Sequence, residues 1–397
     1  MIEWLAIPTI ALGFALMPKK KMMDERKLKM IFENCKVGIK KGDSFQYPKL
    51  IRKYEKDTHK TFIYSLPFGV PSEDLEKILP AIRDGLNKEV EIEFDGVLKI
   101  NVFNQSLPTS WKYNDDLLCK GTWEIPIGKN HTGILYHDFE KYPHMLVGGV
   151  TRFGKTVFIK EAFYTLLMDQ MENVEFYFLD LKGGLEFGKY IGLPQVKAVA
   201  SDVFEAAGVL NEIVTNLKLQ EKNFRKLGYT NVVDSPIKKR TFVIVDEGAE
   251  LSPNIIEGEG KKFAKFCQAS LSEISRIGGG LGLRLLYCTQ YPTKEAVPMQ
   301  VKMNIVARIS FIAAAQIASR VILDEIGAED LPSIPGRAIY KIEKKRTVQV
   351  PYIDDKYMFT QMEAKEDAII NAIKGRKPVN NDRQVRNGED TSPTINP

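Results

Sequence analysis

Hydrophobic residues recur along this chain with two periods, and the places where the period changes divide it. Thr61–Phe68 reads as a strand, and apolar and polar residues alternate over Val90–Phe94 and Val97–Phe103 on either side of Asp95-Gly96, the mark of strands joined by a tight turn. Between them Leu75, Ile78, Leu79 and Ile82 share one face of a helix expected from Pro71 to Arg83. The pattern predicts a small β-α-β-β module over residues 58–120, ending in a polar linker from Pro108 to Asp116. Beyond it Trp123–Lys129 and Thr132–Asp138 read as strands. Continuous apolar runs follow at Met145–Val147, Val174–Leu179, Thr241–Val245, Leu283–Thr289 and Asn304–Ile312, as expected of strands buried on both faces. Helical periods lie between them at Phe158–Leu167, Ala206–Leu227, Phe263–Ile277 and Ala315–Leu323, before a last strand at Ala338–Ile342. Such alternation predicts an α/β domain over residues 121–372 with a mainly parallel sheet covered on both sides.

The two ends of the chain differ from this middle. Trp4–Met17 carries no charge and runs straight into Pro18-Lys19-Lys20-Lys21. It is shorter than the ~20 residues that cross a bilayer comfortably, and its positive charges follow the apolar run, the reverse of a secretory signal. Residues 1–23 are expected to be a membrane anchor, with an interfacial or buried segment as the alternative. The positive-inside rule puts the rest on the cytoplasmic side of the cell membrane. Residues 24–57, rich in Lys and Glu, are expected to be a juxtamembrane helix and loop, and residues 373–397 a polar, flexible tail.

Composition adds little to this division. A chain of 397 residues has room for two domains, and its formal charge of +5 permits a nucleic-acid partner without requiring one. Cys35, Cys119, Cys267 and Cys288 are scattered, which excludes a C-x-x-C zinc site and a disulfide framework and suits a reducing compartment.

The candidate chemistry begins at His144. An apolar strand feeds Gly149-Val150-Thr151-Arg152-Phe153-Gly154-Lys155-Thr156-Val157, and a helix follows. The spacing fits G-x-x-x-x-G-K-[ST]: backbone N–H groups and the helix amino terminus hold phosphate oxygens, Lys155 reaches the β- and γ-phosphates, and the Thr156 hydroxyl ligates Mg²⁺. A second motif, Thr241–Glu247, is an apolar run ending in two acids. Asp246 is expected in the Mg²⁺ shell and Glu247 as the group that polarises an attacking water. Gln290, at the end of the strand Leu283–Thr289, is a candidate γ-phosphate sensor or water-orienting group, with a polar strand cap as the alternative. ATP and Mg²⁺ are the cofactors these motifs imply.

Taken together the motifs resemble the FtsK/SpoIIIE DNA translocases of the FtsK–HerA superfamily. The likeness runs from about Thr61 to Ile342 through YPHMLVGGVTRFGKT, FLDLKGGLEF, LKLQEKNFRKLGYTNVVD, FVIVDE, GGGLGLRLLYCTQYP, and NIVARISF leading to ASRVILDEIGAEDLPSIPGRAIY, in family order. The resemblance implies a RecA-like P-loop NTPase motor that assembles as a homo-oligomeric ring, hexameric in this family, and uses ATP hydrolysis to move DNA. It also implies an arginine acting on a neighbour's nucleotide, Arg320 first and Arg308 second, with a structural ion-pair role as the alternative for either. Asp180 and Lys182 match a family pattern to which no role is assigned. Arg152-Phe153 replaces the Gly-Ser of the division translocases, a variant associated with coupling ATPases of conjugative plasmids and integrative elements in Gram-positive bacteria, whose partners are a relaxase and membrane channel proteins. A protein-secretion ATPase of the same superfamily and a DNA-packaging or plasmid-maintenance pump are the alternatives. Backbone contacts to DNA are expected from Lys238-Lys239-Arg240 and from Gly278 to Arg284, with a solvated loop as the alternative for the first.

Overall fold

The structure is a computed structural model that describes residues 23–290 and 295–375. The amino-terminal apolar run and most of the polar tail lie outside the described residues. Among the described residues no helix is long and apolar enough to cross a membrane.

The first unit is built on α1 (Asp24–Asn34), the short hairpin β1 (Ile39–Lys41) and β2 (Ser44–Gln46), strands β3 (Lys49–Glu55) and β4 (His59–Ser65), helices α2 (Ser72–Lys77) and α3 (Leu79–Leu86), and strands β5 (Val90–Phe94) and β6 (Leu98–Phe103). The last four strands form an antiparallel sheet in the order β3-β4-β6-β5. Leu28 and Phe32 of α1 pack with Phe62, Tyr64, Ile82, Ile100 and Val102 in one core. Residues 24–57, expected as a separate juxtamembrane segment, therefore supply a helix and an edge strand to this unit. The single helix expected from Pro71 to Arg83 is two, because Pro80 has no N–H to continue the first and sits instead in the opening turn of the second.

The second unit opens with Tyr113 and Leu117, which pack into its core and not into that of the small module. It contains β7 (Glu124–Asn130), β8 (Gly133–Asp138), β9 (His144–Gly148), α4 (Lys155–Asp169), β10 (Val174–Leu179), β11 (Val196–Ala200), α5 (Val203–Leu227), β12 (Arg240–Val245), α6 (Gly260–Glu273), β13 (Leu283–Thr289), α7 (Met299–Asn304), β14 (Ala307–Phe311), α8 (Gln316–Leu323), β15 (Arg337–Lys341), β16 (Lys345–Gln349) and α9 (Asp355–Gly375). The ten strands make one sheet in the order β11-β10-β12-β13-β9-β14-β15-β16-β7-β8. From β11 to β14 every pairing is parallel; from β14 to β8 every pairing is antiparallel. The α/β architecture with a mainly parallel sheet is thus as expected, with an antiparallel flank added.

Period-2 alternation divides the parallel strands between two cores. Met145, Val147, Phe176, Phe178, Phe242, Ile244 and Leu286 face α4, while Leu146, Tyr177, Leu179, Val243, Val245, Leu285 and Tyr287 face α5 and α6. Helix α4 is enclosed rather than amphipathic, since Tyr113 and Met358 and Met362 of α9 cover the side turned away from the sheet. The expected strand at Asn304–Ile312 is shorter, because Asn304 ends α7, and α6 passes into a π-helical turn at Ile274–Gly278. The two units meet where the Glu89 carboxylate contacts the His131 ring at 2.6 Å and Phe103 stacks on that ring at 3.8 Å.

At the amino-terminal edge of the sheet Arg240 donates two hydrogen bonds to Glu140, at 2.8 and 3.0 Å, and Arg284 donates a third at 2.9 Å. Both guanidinium groups are buried. These two arginines, offered by the sequence as contacts to a DNA backbone, instead lock β12 and β13 to the segment before β9, and Lys239 pairs with Glu175. The remaining basic residue of that loop, Lys238, is exposed.

Glu140→Ala is expected to destabilise the protein by about 3–5 kcal/mol, since it leaves two buried cations without their carboxylate. Burial opposes ionisation of Glu140, but Arg240 and Arg284 outweigh it and hold its pKa below the ordinary value. Its contribution is therefore complete above the unfolded value of ~4.3 and is lost as pH falls through the lowered one. Denaturant unfolding of wild type and variant across this range measures both effects.

Candidate active site

Strand β9 delivers the phosphate loop to the carboxyl edge of the sheet, between β13 and β14. The loop is clamped from both sides: Val150 N–H donates to the Ile312 carbonyl at 3.0 Å, and Gly336 N–H donates to the Phe153 carbonyl at 2.9 Å. Gly149 needs to be glycine, with φ +141° and a β-carbon that would lie 2.6 Å from Phe311 Cβ. Arg152 is also left-handed, with φ 69°. Helix α4 begins at Lys155, so its first N–H groups, which have no acceptor within the helix, belong to the loop.

The acids arrive from β12, which β13 separates from β9. Asp246 and Glu247 follow β12 directly and both are buried. The Lys155 ammonium donates to Asp246 Oδ1 and to the Asp246 carbonyl, each at 2.6 Å. Glu247 Oε1 accepts from the Thr289 hydroxyl at 2.7 Å, and the Gln290 N–H lies 3.0 Å from both carboxylate oxygens. Lys182 Nζ stands 3.2 Å from Glu247 Oε2. Asp180, at the end of β10, accepts from the N–H groups of Glu186 and Phe187 at 2.9 Å each and so folds the loop that carries Lys182.

A cleft of about 450 Å³ opens on this group, lined by Val150, Lys155, Thr156 and Gln290 on one side and by Trp111, Pro335 and Tyr352 on the other. Trp111 and Tyr352 come from far apart in the chain and are held together by two backbone hydrogen bonds, Tyr352 N–H to the Trp111 carbonyl and Tyr113 N–H to the Tyr352 carbonyl. The structure brings together the loop from Gly149 to Val157, Asp246, Glu247 and Gln290. Thr289, Lys182, Trp111 and Tyr352 join them without having been assigned roles from the sequence. Thr289 and Lys182 stood beside recognised motifs and carried a signal; Trp111 and Tyr352 carried none, because only the tertiary fold places them at the cleft.

The two candidate arginines lie outside the cleft lining. Arg308 pairs with Asp324 and donates to the carbonyls of Ile305, Ile322 and Lys302, so all three of its guanidinium nitrogens are engaged within its own chain. This is the structural alternative that the sequence left open. Arg320 is exposed, makes no ion pair among the described residues, and lies on α8 one turn from Ile317, which is 71% exposed.

Mg²⁺ in a nucleotide site takes one or two protein ligands and completes its shell from phosphates and water. Thr156, which lines the cleft, and Asp246, which pairs with Lys155, are oxygen donors that fit that requirement. A three-residue metal cluster is not needed, and none occurs among the described residues.

The FtsK/SpoIIIE family model matches residues 119–328. The DNA translocase FtsK of Caldanaerobacter subterraneus subsp. tengcongensis is 28% identical over 333 residues, 80% of this chain and 44% of that protein. Among solved structures, the pCW3 conjugation coupling protein TcpA, in a monomer form with ATPγS, superposes with a TM-score of 0.64 at 24% identity, over 87% of this chain and 99% of that one. The cytoplasmic domain of the type VII secretion ATPase EccC from Thermomonospora curvata superposes with a TM-score of 0.51 at 22% identity, over 69% and 33%. The chain spans less than half the length of the curated relatives it matches.

Gly149→Ala is expected to fold but to shift the phosphate loop, because a β-carbon there meets Phe311 and the backbone is left-handed. The expected cost is ~1–3 kcal/mol of local strain and a rise of about tenfold or more in the Kd for ATP, measured by titration calorimetry beside thermal unfolding.

Proposed function

The chain belongs to the FtsK/SpoIIIE family, and from that premise we propose that it is an ATP-driven DNA translocase, tethered at the membrane by its amino-terminal segment and acting in the transfer of a conjugative plasmid or integrative element. The observation that carries the motor reading is that Lys155, Thr156 and Gln290 line one cleft at the carboxyl edge of a parallel sheet, with Asp246 bonded to Lys155 and Glu247 bonded to Gln290. The likeness to a conjugation coupling protein over nearly its whole length favours the transfer role over secretion, since the secretion ATPase is matched over only a third of its length.

In this reading the nucleotide lies across the cleft with its base toward Trp111 and Tyr352 and its phosphates on the loop. The phosphates compete with Asp246 for the Lys155 ammonium. Thr156 and Asp246 are the residues that would hold Mg²⁺, which would neutralise phosphate charge. Glu247 takes the proton of a water that attacks the γ-phosphorus as the bond to the bridging oxygen breaks. Gln290, which lines the same cleft as the loop, senses the γ-phosphate in this reading. DNA is the track and is held through its backbone, so binding is largely independent of sequence and weakens with salt.

The active assembly is a ring of identical subunits, hexameric by family resemblance, with a relaxase and channel proteins as further partners. Arg320 is its trans-acting residue. It is exposed and makes no ion pair among the described residues, and Ile317, one turn away on α8, is 71% exposed.

Purified protein is expected to hydrolyse ATP faster when DNA of any sequence is added, with the stimulation fading as salt is raised. Glu247→Gln is expected to bind ATP and fail to turn it over. Stimulation by one DNA sequence only, or unchanged turnover in Glu247→Gln, would falsify the motor reading.

Arg320→Ala is expected to lower turnover on the order of 10³-fold while leaving ATP binding intact. Lys155→Ala has the opposite defect, an intact arginine with a damaged loop. Rings assembled from both variants contain some interfaces with each part intact and are expected to regain measurable hydrolysis. Turnover in mixed rings no greater than in either variant alone refutes a trans role.

A further inference from the structure

Glu247 is surrounded by donors in a way that its role as a base does not explain. A carboxylate offers about four lone-pair positions. Here the Thr289 hydroxyl, the Gln290 N–H shared between both oxygens, and the Lys182 ammonium converge on them. The Glu247 side chain is fully buried, while that of Lys182 is 36% exposed. Lys182 is thus an arm that enters from the surface and ends on the catalytic carboxylate.

The loop bearing that arm is constructed to hold it. Asp180 accepts from the N–H groups of Glu186 and Phe187 through its side chain and from Gly184 through its carbonyl, closing residues 180–187 into a compact turn. Gly183 and Gly184, with φ of +79° and +70°, make the reversal immediately after Lys182. The tip is open to solvent, with Leu185 83% exposed. The neighbouring acid, Asp246, has its own cation in Lys155. The Lys182–Glu247 contact is thus separate from the pair that faces the phosphate loop.

We propose that Lys182 is a positioning residue that acts as a brake. It holds Glu247 away from water until the 181–186 loop moves, and DNA phosphates competing for its ammonium relieve the hold. The proposal rests on the reading of Glu247 as the base of an ATPase. It predicts that DNA stimulation works largely through release of this one contact, and that removing the contact makes turnover independent of the track.

The test uses the full chain and compares wild type, Lys182→Met, Lys182→Gln, Lys182→Arg and Glu247→Gln for ATP binding and for kcat and KM with and without duplex DNA. Lys182→Met is expected to raise DNA-free kcat roughly threefold to tenfold with little change in KM, and to bring the ratio of stimulated to basal rate toward one. Lys182→Arg, which keeps the cation, is expected to restore the wild-type ratio. Lys182→Gln carries the same expectation as Met and serves if the Met variant fails to fold. Loss of turnover with ATP binding intact in the neutral variants would mean that Lys182 assists the reaction, and overturns the brake. An unchanged basal rate and ratio overturns it as well. Either result beside an active wild type and an inactive Glu247→Gln rejects the brake alone, whereas an inactive wild type or an active Glu247→Gln rejects the ATPase reading beneath it.

Discussion

The parallel register of three strands is the constraint on which everything else depends. Gly148 of β9 stands opposite Thr289 of β13, and Tyr287 of β13 opposite Val245 of β12. That alignment ends the three strands at one level, so that the phosphate loop, the hydroxyl of Thr289 and the two acids after β12 emerge together. Because side chains alternate with period two, a slip of one residue would turn Phe242 and Ile244 from the α4 core to the opposite face and send Glu247 away from Thr289. The register is secured far from the chemistry, by apolar packing on both faces and by Glu140 bridging Arg240 and Arg284 at the opposite edge of the sheet.

The elements that the sequence announced are those whose pattern is local. The buried runs at Met145, Val174, Thr241 and Leu283 could be read because a strand covered on both sides must be apolar throughout, and the phosphate loop because its glycines and lysine are contiguous. Strand β16, Lys345–Gln349, escaped notice because its first two residues are exposed and charged and only its end is buried. The role of α1 was missed because Leu28 and Phe32 are sparse among Lys and Glu, and two residues suffice to anchor a short helix.

The same distinction separates the site residues. Lys155, Thr156, Asp246 and Glu247 sit in contiguous motifs whose chemistry is fixed by residue type. Arg240 and Arg284 were legible as basic but not as buried, since a carboxylate distant in sequence turns them from surface charge into structural ties. Trp111 and Tyr352 were not legible at all, because nothing near either residue refers to the other.

Those last two residues also set an order of assembly. The backbone pairing of Trp111 and Tyr113 with Tyr352 joins the segment that enters the second unit to the one that leaves its last strand, so it closes nearly the whole unit as a single loop. Contacts of such separation form late in folding, after the entropy of closing the loop has been met. The phosphate loop and both acids are complete much earlier in the chain. During synthesis from the amino terminus, a nascent chain therefore carries the phosphate loop and both acids well before it has the wall that completes the cleft, and that wall closes only once Tyr352 has been made.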